Sequence, residues 1–387
     1  MSKYILINLV PIQAGGGLQN ALSFLSGISK DSKFCDKCLI VVRKRSSLHK
    51  YATELKLDVI TIEQSAISRI KFELFSCRQL INKYKISIVF SLFGGSPYFS
   101  SGAYKISGFA YSNIIQSEVP FWDYLPLRQQ LLKKLIDKIR LASAVRCDEL
   151  ILETHYLKKR AIDTVFRNKV VHVVEMAPSN LVMTELLNTP VSEDECMNGI
   201  LPKKILYLSS PHPNKRIHLL APVFSKLSEG DNKFELVTTL PEHHKYTRAV
   251  EQEFKRHNVS GNLKNFGPVD PINVAKLLQS VDAVINVALL ESFSNNWVEA
   301  WAAKKLLITT DAEWARKSCH DSAVFIDPTQ PENSARKIAA IFSSPEDLSL
   351  IVKSGEERIR QLPTSSNKTD AYKAIITKSL DKFKNEK

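Results

Sequence analysis

Short apolar runs alternate with helical patterns along most of the chain. In the first half the runs "YILINLV", "CLIVV", "DVITI" and "ISIVFSLF" are rich in β-branched residues, and they are separated by "GLQNALSFLSGI" and "AISRIKFELFSCRQLINKY". That alternation predicts a parallel sheet with crossover helices. It continues through a basic amphipathic segment at 128–146 and through "DELILET", "HYLKKRAIDTVF" and "VVHVVEM". A second cycle opens at "KKILYLSS" (203–210) and runs on through "FELVTTL", "NLKNFG", "VAKLLQSVDAVINVAL", "NNWVEAWAAKKLLITTD" and "SAVFID". Prolines at 178, 190 and 202 bracket an acidic stretch between the cycles, which predicts a linker. The expectation is an α/β protein of two tandem Rossmann-like doubly wound domains facing a cleft. An N-terminal, acceptor-side domain spans 1–180, a linker 181–202 and a ligand-binding domain 203–365. A final helix at 366–387 is expected to dock back on the first domain. Ligands of such sheets sit outside the C-terminal ends of the strands.

At 387 residues and 44% hydrophobic content the chain suits two globular cores. No run approaches the roughly 20 apolar residues of a membrane span, and "MSKYILINLV" leads to no small-residue cleavage site, so a cytoplasmic protein is expected. Six scattered cysteines suit a reducing compartment, and the single C-x-x-C at Cys35 and Cys38 has no second pair with which to hold zinc. The charge changes the picture more. Residues 1–190 hold 26 Lys and Arg against 15 Asp and Glu, whereas residues 191–387 hold 27 against 25. The basic half is expected to meet an anionic partner: a phosphorylated substrate, an anionic membrane surface or nucleic acid.

Three stretches carry the candidate chemistry. "PIQAGGGLQNALSFL" places Gly15, Gly16 and Gly17 immediately after the first strand and at the start of a helix, where backbone amides can approach a ligand or simply make a tight turn. The spacing is not G-x-G-x-x-G. "YLSSPHPNKRIHLL" sets Lys215 or Arg216 at the opening of a helix, an unfavourable end for a cation unless an anion binds there. In "ESFSNNWVEA", Glu291 closes a strand, Asn295 and Asn296 can cap the next helix, and Glu299 stands about one turn inside it. Two carboxylates so placed can accept hydrogen bonds from a ribose diol or from sugar hydroxyls.

"ESFSNNWVEA" resembles the E-x7-E motif of the retaining family-four glycosyltransferases, two-domain enzymes of GT-B architecture. "GGGLQNALSFL", "NKRIHLL" and "NFGPVDPINVAKLLQSVDAVINVAL" resemble that family's other motifs, in the same order. The resemblance implies that Glu299 binds the ribose of a nucleotide sugar. It implies that Glu291 and the amides of Phe293 and Ser294 hold the donor sugar, and that Lys215 holds the pyrophosphate. The Gly15–Gly17 loop would close over the diphosphate, and Gly267 to Val269 would flank the base. The family often places an Arg about six residues before the Lys, where this chain has Ser209. Arg216 or an Arg of the first domain would substitute, or diphosphate binding is weaker. No cofactor or metal is implied.

The function expected is transfer of a sugar, with retention, from a nucleotide sugar to a lipid-linked or growing oligosaccharide of a surface polysaccharide such as an O-antigen or capsule. The enzyme would sit peripherally on the inner face of the plasma membrane. A GT-B-shaped nucleotide-sugar epimerase and a basic nucleic-acid-binding protein are the alternatives. Acceptor candidates are Gly94, Gly95, Tyr98, Trp122 and Tyr124, from aromatic and glycine-rich stretches of the first domain, residue types on which sugars stack. Segment 128–146 reads either as a helix packed on its sheet or as a membrane contact through Lys133, Lys134, Lys138 and Arg140.

Overall fold

The computed structural model describes residues 4–13, 15–97, 102–188 and 202–385. It divides into two units, one formed by Met1–Ser179 with Pro363–Lys387 and the other by Asn180–Leu362. The first holds seven strands: β1 (Ile5–Asn8), β2 (Cys38–Arg43), β3 (Val59–Ile62), β4 (Ile88–Ser91), β5 (Tyr104–Gly108), β6 (Glu149–Leu152) and β7 (Val170–Val173). Their spatial order is β3-β2-β1-β4-β5-β6-β7, and every pairing is parallel.

Both faces of this sheet are covered, which is why its strands read as continuous apolar runs. On one face Ile5, Ile7, Ile40, Val42, Ile88 and Phe90 pack under the helices Gly15–Ser29 and Ser365–Asn385. The rings of Phe24, Phe90 and Tyr372 meet there with centroids 5.6–5.7 Å apart. On the other face a helical segment from Ala66 to Tyr84, carrying a π turn at Phe72–Ser76, buries Phe72, Cys77 and Ile81 against Leu6, Val41 and Val89. Beside it the helix Leu127–Val145 packs Ala144 and Leu141 near Leu150 and Leu152.

β5 is a strand that the hydrophobic pattern does not reveal. Its sequence, Tyr-Lys-Ile-Ser-Gly, has no apolar run, and it closes on Gly108, where a Cβ would lie 1.9 Å from the Leu92 carbonyl oxygen. Only glycine permits that approach.

The second unit has six strands: β8 (Lys203–Tyr207), β9 (Phe234–Thr238), β10 (Leu263–Asn265), β11 (Ala283–Asn286), β12 (Leu306–Thr310) and β13 (Val324–Ile326). They are again all parallel, in the order β10-β9-β8-β11-β12-β13. Where a linker is expected from residue 181, the chain first forms the helix Asn180–Asn188. Its leucine-rich sequence packs against the helix Val274–Gln279 of the same unit. Residues 189–201, the rest of that stretch, lie outside the described residues.

The C-terminal helix is held by close fit and by polar contacts. Glu149 accepts hydrogen bonds from Tyr104 Oη at 2.8 Å and Ser379 Oγ at 2.9 Å, and His172 Nε2 stands 2.6 Å from its other oxygen. A Cβ added at Gly27 would lie 2.6 Å from the side chain of Thr369, which is itself buried. Gly27→Ala should therefore force the two helices apart and lower stability by about 1–3 kcal/mol. At Gly17 the added Cβ would meet Ile12 and Phe93 at 3.8 and 3.9 Å, ordinary contact distances. Denaturant titration of Gly17→Ala should accordingly show unchanged or raised stability. Equal behaviour of the two variants would contradict this packing.

Candidate functional site

Neighbouring strands β8 and β11 are the point at which the strand order of the second unit reverses, so the loops leaving their C-terminal ends diverge. Asn214 ties those two loops together. Its side-chain nitrogen donates to Leu290 O at 2.9 Å, its side-chain oxygen accepts from Leu290 N at 3.2 Å, and its own carbonyl accepts from Leu289 N at 2.8 Å. The next residue, Lys215, is thereby set beside Glu291, and the two form an ion pair in which both side chains are largely buried.

The cations do not open a helix as expected. Pro213–Lys215 is a single 3-10 turn, Arg216 has a left-handed backbone with φ 51°, and the α-helix begins only at Leu220. His212 starts that turn, its Nδ1 accepting from Asn214 N at 3.1 Å. The fully buried Tyr207 supports it from below by donating to Lys215 O at 2.6 Å.

Arg216 points its guanidinium at protein acceptors. Nε donates to Val287 O at 2.9 Å, and Nη2 donates to Thr310 Oγ1 at 2.8 Å and Ala288 O at 3.4 Å. It holds the ends of β11 and β12 and does not stand free beside Lys215 as a second anion ligand. Ser209, at the position of the family's Arg, is likewise engaged, its amide donating to Thr239 Oγ1 at 3.1 Å and its hydroxyl to Ser210 O at 2.8 Å.

Glu291 and Glu299 lie at the two ends of one ordered turn. Asn286, the last residue of β11, donates through Nδ2 to Ser294 Oγ at 2.7 Å and to Glu291 Oε2 at 3.4 Å. Its Oδ1 accepts from Ala288 N at 3.0 Å. The N-cap of the helix Asn295–Ala302 is Ser294, and its hydroxyl serves Asn286 and does not cap. Asn295 and Asn296 therefore fall inside the first turn and are not its caps. Asn296 instead reaches Leu208 O at 2.6 Å, tying the helix to the end of β8. The backbone amides of Phe293 and Ser294 donate to no acceptor among the described residues.

Glu299 is only 6% exposed, and no donor among the described residues reaches its carboxylate. Burial pushes its carboxyl up from the usual 4.5 to about 7. Buried carboxylates are ordinarily satisfied by hydrogen bonds, so this one is poised for donors that come from elsewhere.

At the ends of β9 and β10 an open cavity of about 610 Å³ is lined by Glu242, His243, His244, Phe266 and Gly267, among others. Gly267 adopts φ 74° there, and Val269 lies two residues beyond it. His244 also has a structural task, its Nδ1 accepting from Tyr246 N to start the helix Lys245–Arg256. Neither His212 nor His244 carries a sequence signal for this. A His two residues before the amide it caps is the pattern common to both.

In the first unit Gly15, Gly16 and Gly17 are the first three residues of a helix, and Gly15 has φ 66°. Two of the acceptor candidates, Gly95 and Trp122, meet the helix Leu127–Val145. The loop of Gly94 and Gly95 meets it at Ser143, whose hydroxyl donates to Ser96 O at 2.6 Å. Trp122 donates from Nε1 to Asp137 at 2.6 Å, and its ring lies 6.4 Å from that of Tyr124. Tyr98 lies outside the described residues. Of the basic side chains expected at a membrane, Lys134 and Lys138 are exposed. Lys133 sits over the Trp122 ring, while Arg140 sits over Tyr111 and pairs with Asp137.

Residues 201–358 match the family model described as glycosyl transferases group 1. No curated protein matches the chain at a significant level. Among solved structures, a glycosyltransferase from Rickettsia africae superposes with a TM-score of 0.72 at 18% identity, covering 98% of this chain and 99% of that one. A sucrose-phosphate synthase from Thermosynechococcus elongatus gives 0.73 at 13% identity, with 98% and 99% covered. Anabaena HepE in complex with UDP and glucose gives 0.70 at 13% identity, with 97% and 100% covered. The expected fold class, two Rossmann-like domains of GT-B type, is the one these structures share. The family match lies within the second unit, and the three structures share the fold of the whole chain.

The state of Glu299 has a consequence for stability. Its carboxyl is raised from 4.5 to about 7, so between those pH values the folded protein keeps a proton that the unfolded chain has lost. Stability therefore falls as pH rises through this window, by at most about 3 kcal/mol. Glu299→Gln removes the effect. In denaturant titrations the variant should be more stable than the parent at pH 8, with the difference shrinking towards pH 4.5. A difference that is the same at both pH values would mean that Glu299 ionises freely in the fold.

Proposed function

We propose that the protein is a retaining, metal-independent glycosyltransferase. It moves a sugar from a nucleotide donor to a lipid-linked or growing oligosaccharide in surface-polysaccharide synthesis. The observation that carries this reading is the buried Glu299 carboxylate, which no donor among the described residues reaches, about one helical turn from the amides of Phe293 and Ser294, which meet no acceptor among those residues. A ribose diol supplies the two donors that this carboxylate lacks. The group 1 match over residues 201–358 and the likeness to a protein solved with UDP and glucose support a nucleotide-sugar donor.

In this reading the nucleotide's base lies towards the open cavity at Phe266 and Gly267, and its ribose lies on Glu299. The diphosphate faces Lys215 and the first turn of the helix Asn295–Ala302. As the bond from sugar to diphosphate breaks, negative charge grows on the leaving oxygen, and a fixed ammonium with helix amides opposes it. Lys215 is fixed because Glu291 holds its tip and Tyr207 holds its carbonyl. Glu291, oriented by Asn286, presents an oxygen to the hydroxyls of the sugar. The acceptor hydroxyl attacks the face that the phosphate leaves and gives its proton to the departing oxygen, which preserves the anomeric configuration. With Arg216 spent on strand ends, Lys215 is the principal cation of this unit at the diphosphate, and diphosphate binding is correspondingly weaker.

Glu299→Ala should weaken binding of a free nucleoside diphosphate in calorimetry, whereas Glu291→Ala should leave that binding nearly intact and lower turnover instead. The ribose is a remote handle, while contacts to the transferring sugar tighten in the transition state. Loss of nucleotide binding to the same extent in both variants, or in neither, would refute the assignment.

Transfer should survive exhaustive EDTA treatment at full rate, since a lysine and helix amides take the role that a metal ion plays elsewhere. Activity lost to EDTA and restored by Mn²⁺ would overturn the metal-free mechanism.

A further inference from the structure

The helix Leu127–Val145 packs on its sheet through few side chains. Ala144 is its only fully buried residue, while Leu127, Leu131, Leu132, Leu135 and Ile139 are all more than half exposed. Four of these recur every four residues, so they form one continuous outer stripe. The segment from Ala66 to Tyr84 repeats the arrangement, with Ile67, Ile70 and Phe75 more than half exposed.

Strand register places both stripes on the same side of the first unit. Partnered residues of a parallel sheet share a face. Leu6 pairs with Val89, and in the next paired row Asn8, Ser91, Ser107 and Leu150 follow one another across the sheet. Leu6 and Val89 lie under Phe72 and Ile81 of the one helical segment, and Leu150 lies under Ala144 of the other. Both segments therefore cover the same face, the one opposite the C-terminal helix.

Charge says what this apolar surface meets. Residues 66–85 carry five basic side chains and one acid, and residues 127–146 carry six and one. Both acids are neutralised locally, Glu73 by Arg69 at 2.7 Å and Asp137 by Arg140 at 2.9 Å. Arg128, Lys134, Lys138, Lys71 and Arg78 remain exposed among or beside the stripes. Trp122 and the exposed Tyr124 stand just before the start of the second helix, and these are residue types that settle at headgroup level. A second copy of the chain would bring the same basic patch against itself, whereas an anionic bilayer satisfies both charge and apolar area.

We propose that this face is a two-helix platform that docks on an anionic lipid surface, with the leucine stripe and Ile67, Ile70 and Phe75 entering the acyl boundary. The proposal deepens the reading above, on which it rests for the purpose of the contact: it brings the acceptor-side unit to a lipid-linked acceptor. The docking itself is measured without any transfer reaction.

The test is co-sedimentation of the full chain with phosphatidylcholine vesicles, with and without phosphatidylglycerol, at low and high salt. Binding should require the anionic lipid and weaken with salt. Lys134→Gln with Lys138→Gln should reduce it about tenfold and flatten its salt dependence. Leu131→Gln, Leu135→Gln and Ile139→Gln together should reduce it about 10²-fold, and Ile67→Gln, Ile70→Gln and Phe75→Gln should do so as well. These side chains are exposed, so circular dichroism should show an unchanged fold. No sedimentation with anionic vesicles at low salt, or binding that survives both triple variants, would overturn the proposal. So would a parent that is dimeric in solution and becomes monomeric in the triple variants, because the stripe would then belong to a second copy. Vesicle binding without any transfer activity would leave the platform standing and sink the catalytic reading, and transfer without vesicle binding would do the reverse.

Discussion

The second unit depends on one polar clamp, the three hydrogen bonds by which Asn214 joins the loop after β8 to the loop after β11. At the switch point of a doubly wound sheet these loops run apart, and nothing in the ladder holds them once the strands end. An amide side chain can donate and accept at once, so a single buried residue satisfies both a carbonyl and an N–H of the opposing loop. Everything chemical at the site is referenced to that clamp. Lys215 follows it directly, Glu291 follows its partner Leu290, and Asn286 carries the alignment on to Ser294 and the helix that bears Glu299. An aspartate of the same size could accept but not donate, and would leave the Leu290 carbonyl unpaired in the interior.

The two carboxylates of this site are in opposite electrostatic conditions, although only eight residues separate them. Glu291 is compensated by an ammonium and an amide. Glu299 is itself buried and meets no donor among the described residues, and burial keeps its proton on to about neutral pH. A fold optimised for stability alone would place an apolar residue at position 299. A carboxylate kept here against that cost is the ground on which a ligand is proposed at this site.

Much of this was legible in the sequence. The alternation of apolar runs and helices anticipates all six strands of the second unit and six of the seven in the first, because the central parallel strands are covered on both faces and read as apolar runs. β5 escaped because packing against Leu92 selects glycine and not hydrophobicity. The spacing of Glu291 and Glu299 showed that one turn could present both, but not that one would be paired and the other bare. Arg216 looked like a spare anion ligand, yet a left-handed backbone turns its side chain to the ends of β11 and β12. Such a turn leaves no trace in a pattern of polar and apolar positions. The caps were misplaced by a single residue for a related reason: Ser294 precedes two asparagines, and propensity alone cannot say which polar residue stays outside the helix.

The helix Leu127–Val145 poses the converse problem, since its periodicity is plain and its apolar stripe is left exposed among the described residues. An amphipathic pattern reports that an apolar face exists, and the usual inference is that the face lies on the sheet. Here the sheet is met by Leu141 and Ala144 near the end of the helix, and Leu127, Leu131, Leu132 and Leu135 turn outward with lysines among them. A soluble surface bearing so many adjacent large apolar groups invites association. The local excess of positive charge opposes self-association and favours anionic surfaces, which is why the partner proposed for this face is an anionic one. In the near-neutral half of the chain, where the match to glycosyl transferases group 1 lies, no such charge excess occurs. The basic excess thus resides in the N-terminal half, on the unit whose outer helices carry exposed apolar side chains, and the proposed docking on an anionic surface rests on that pairing of charge with exposed leucines.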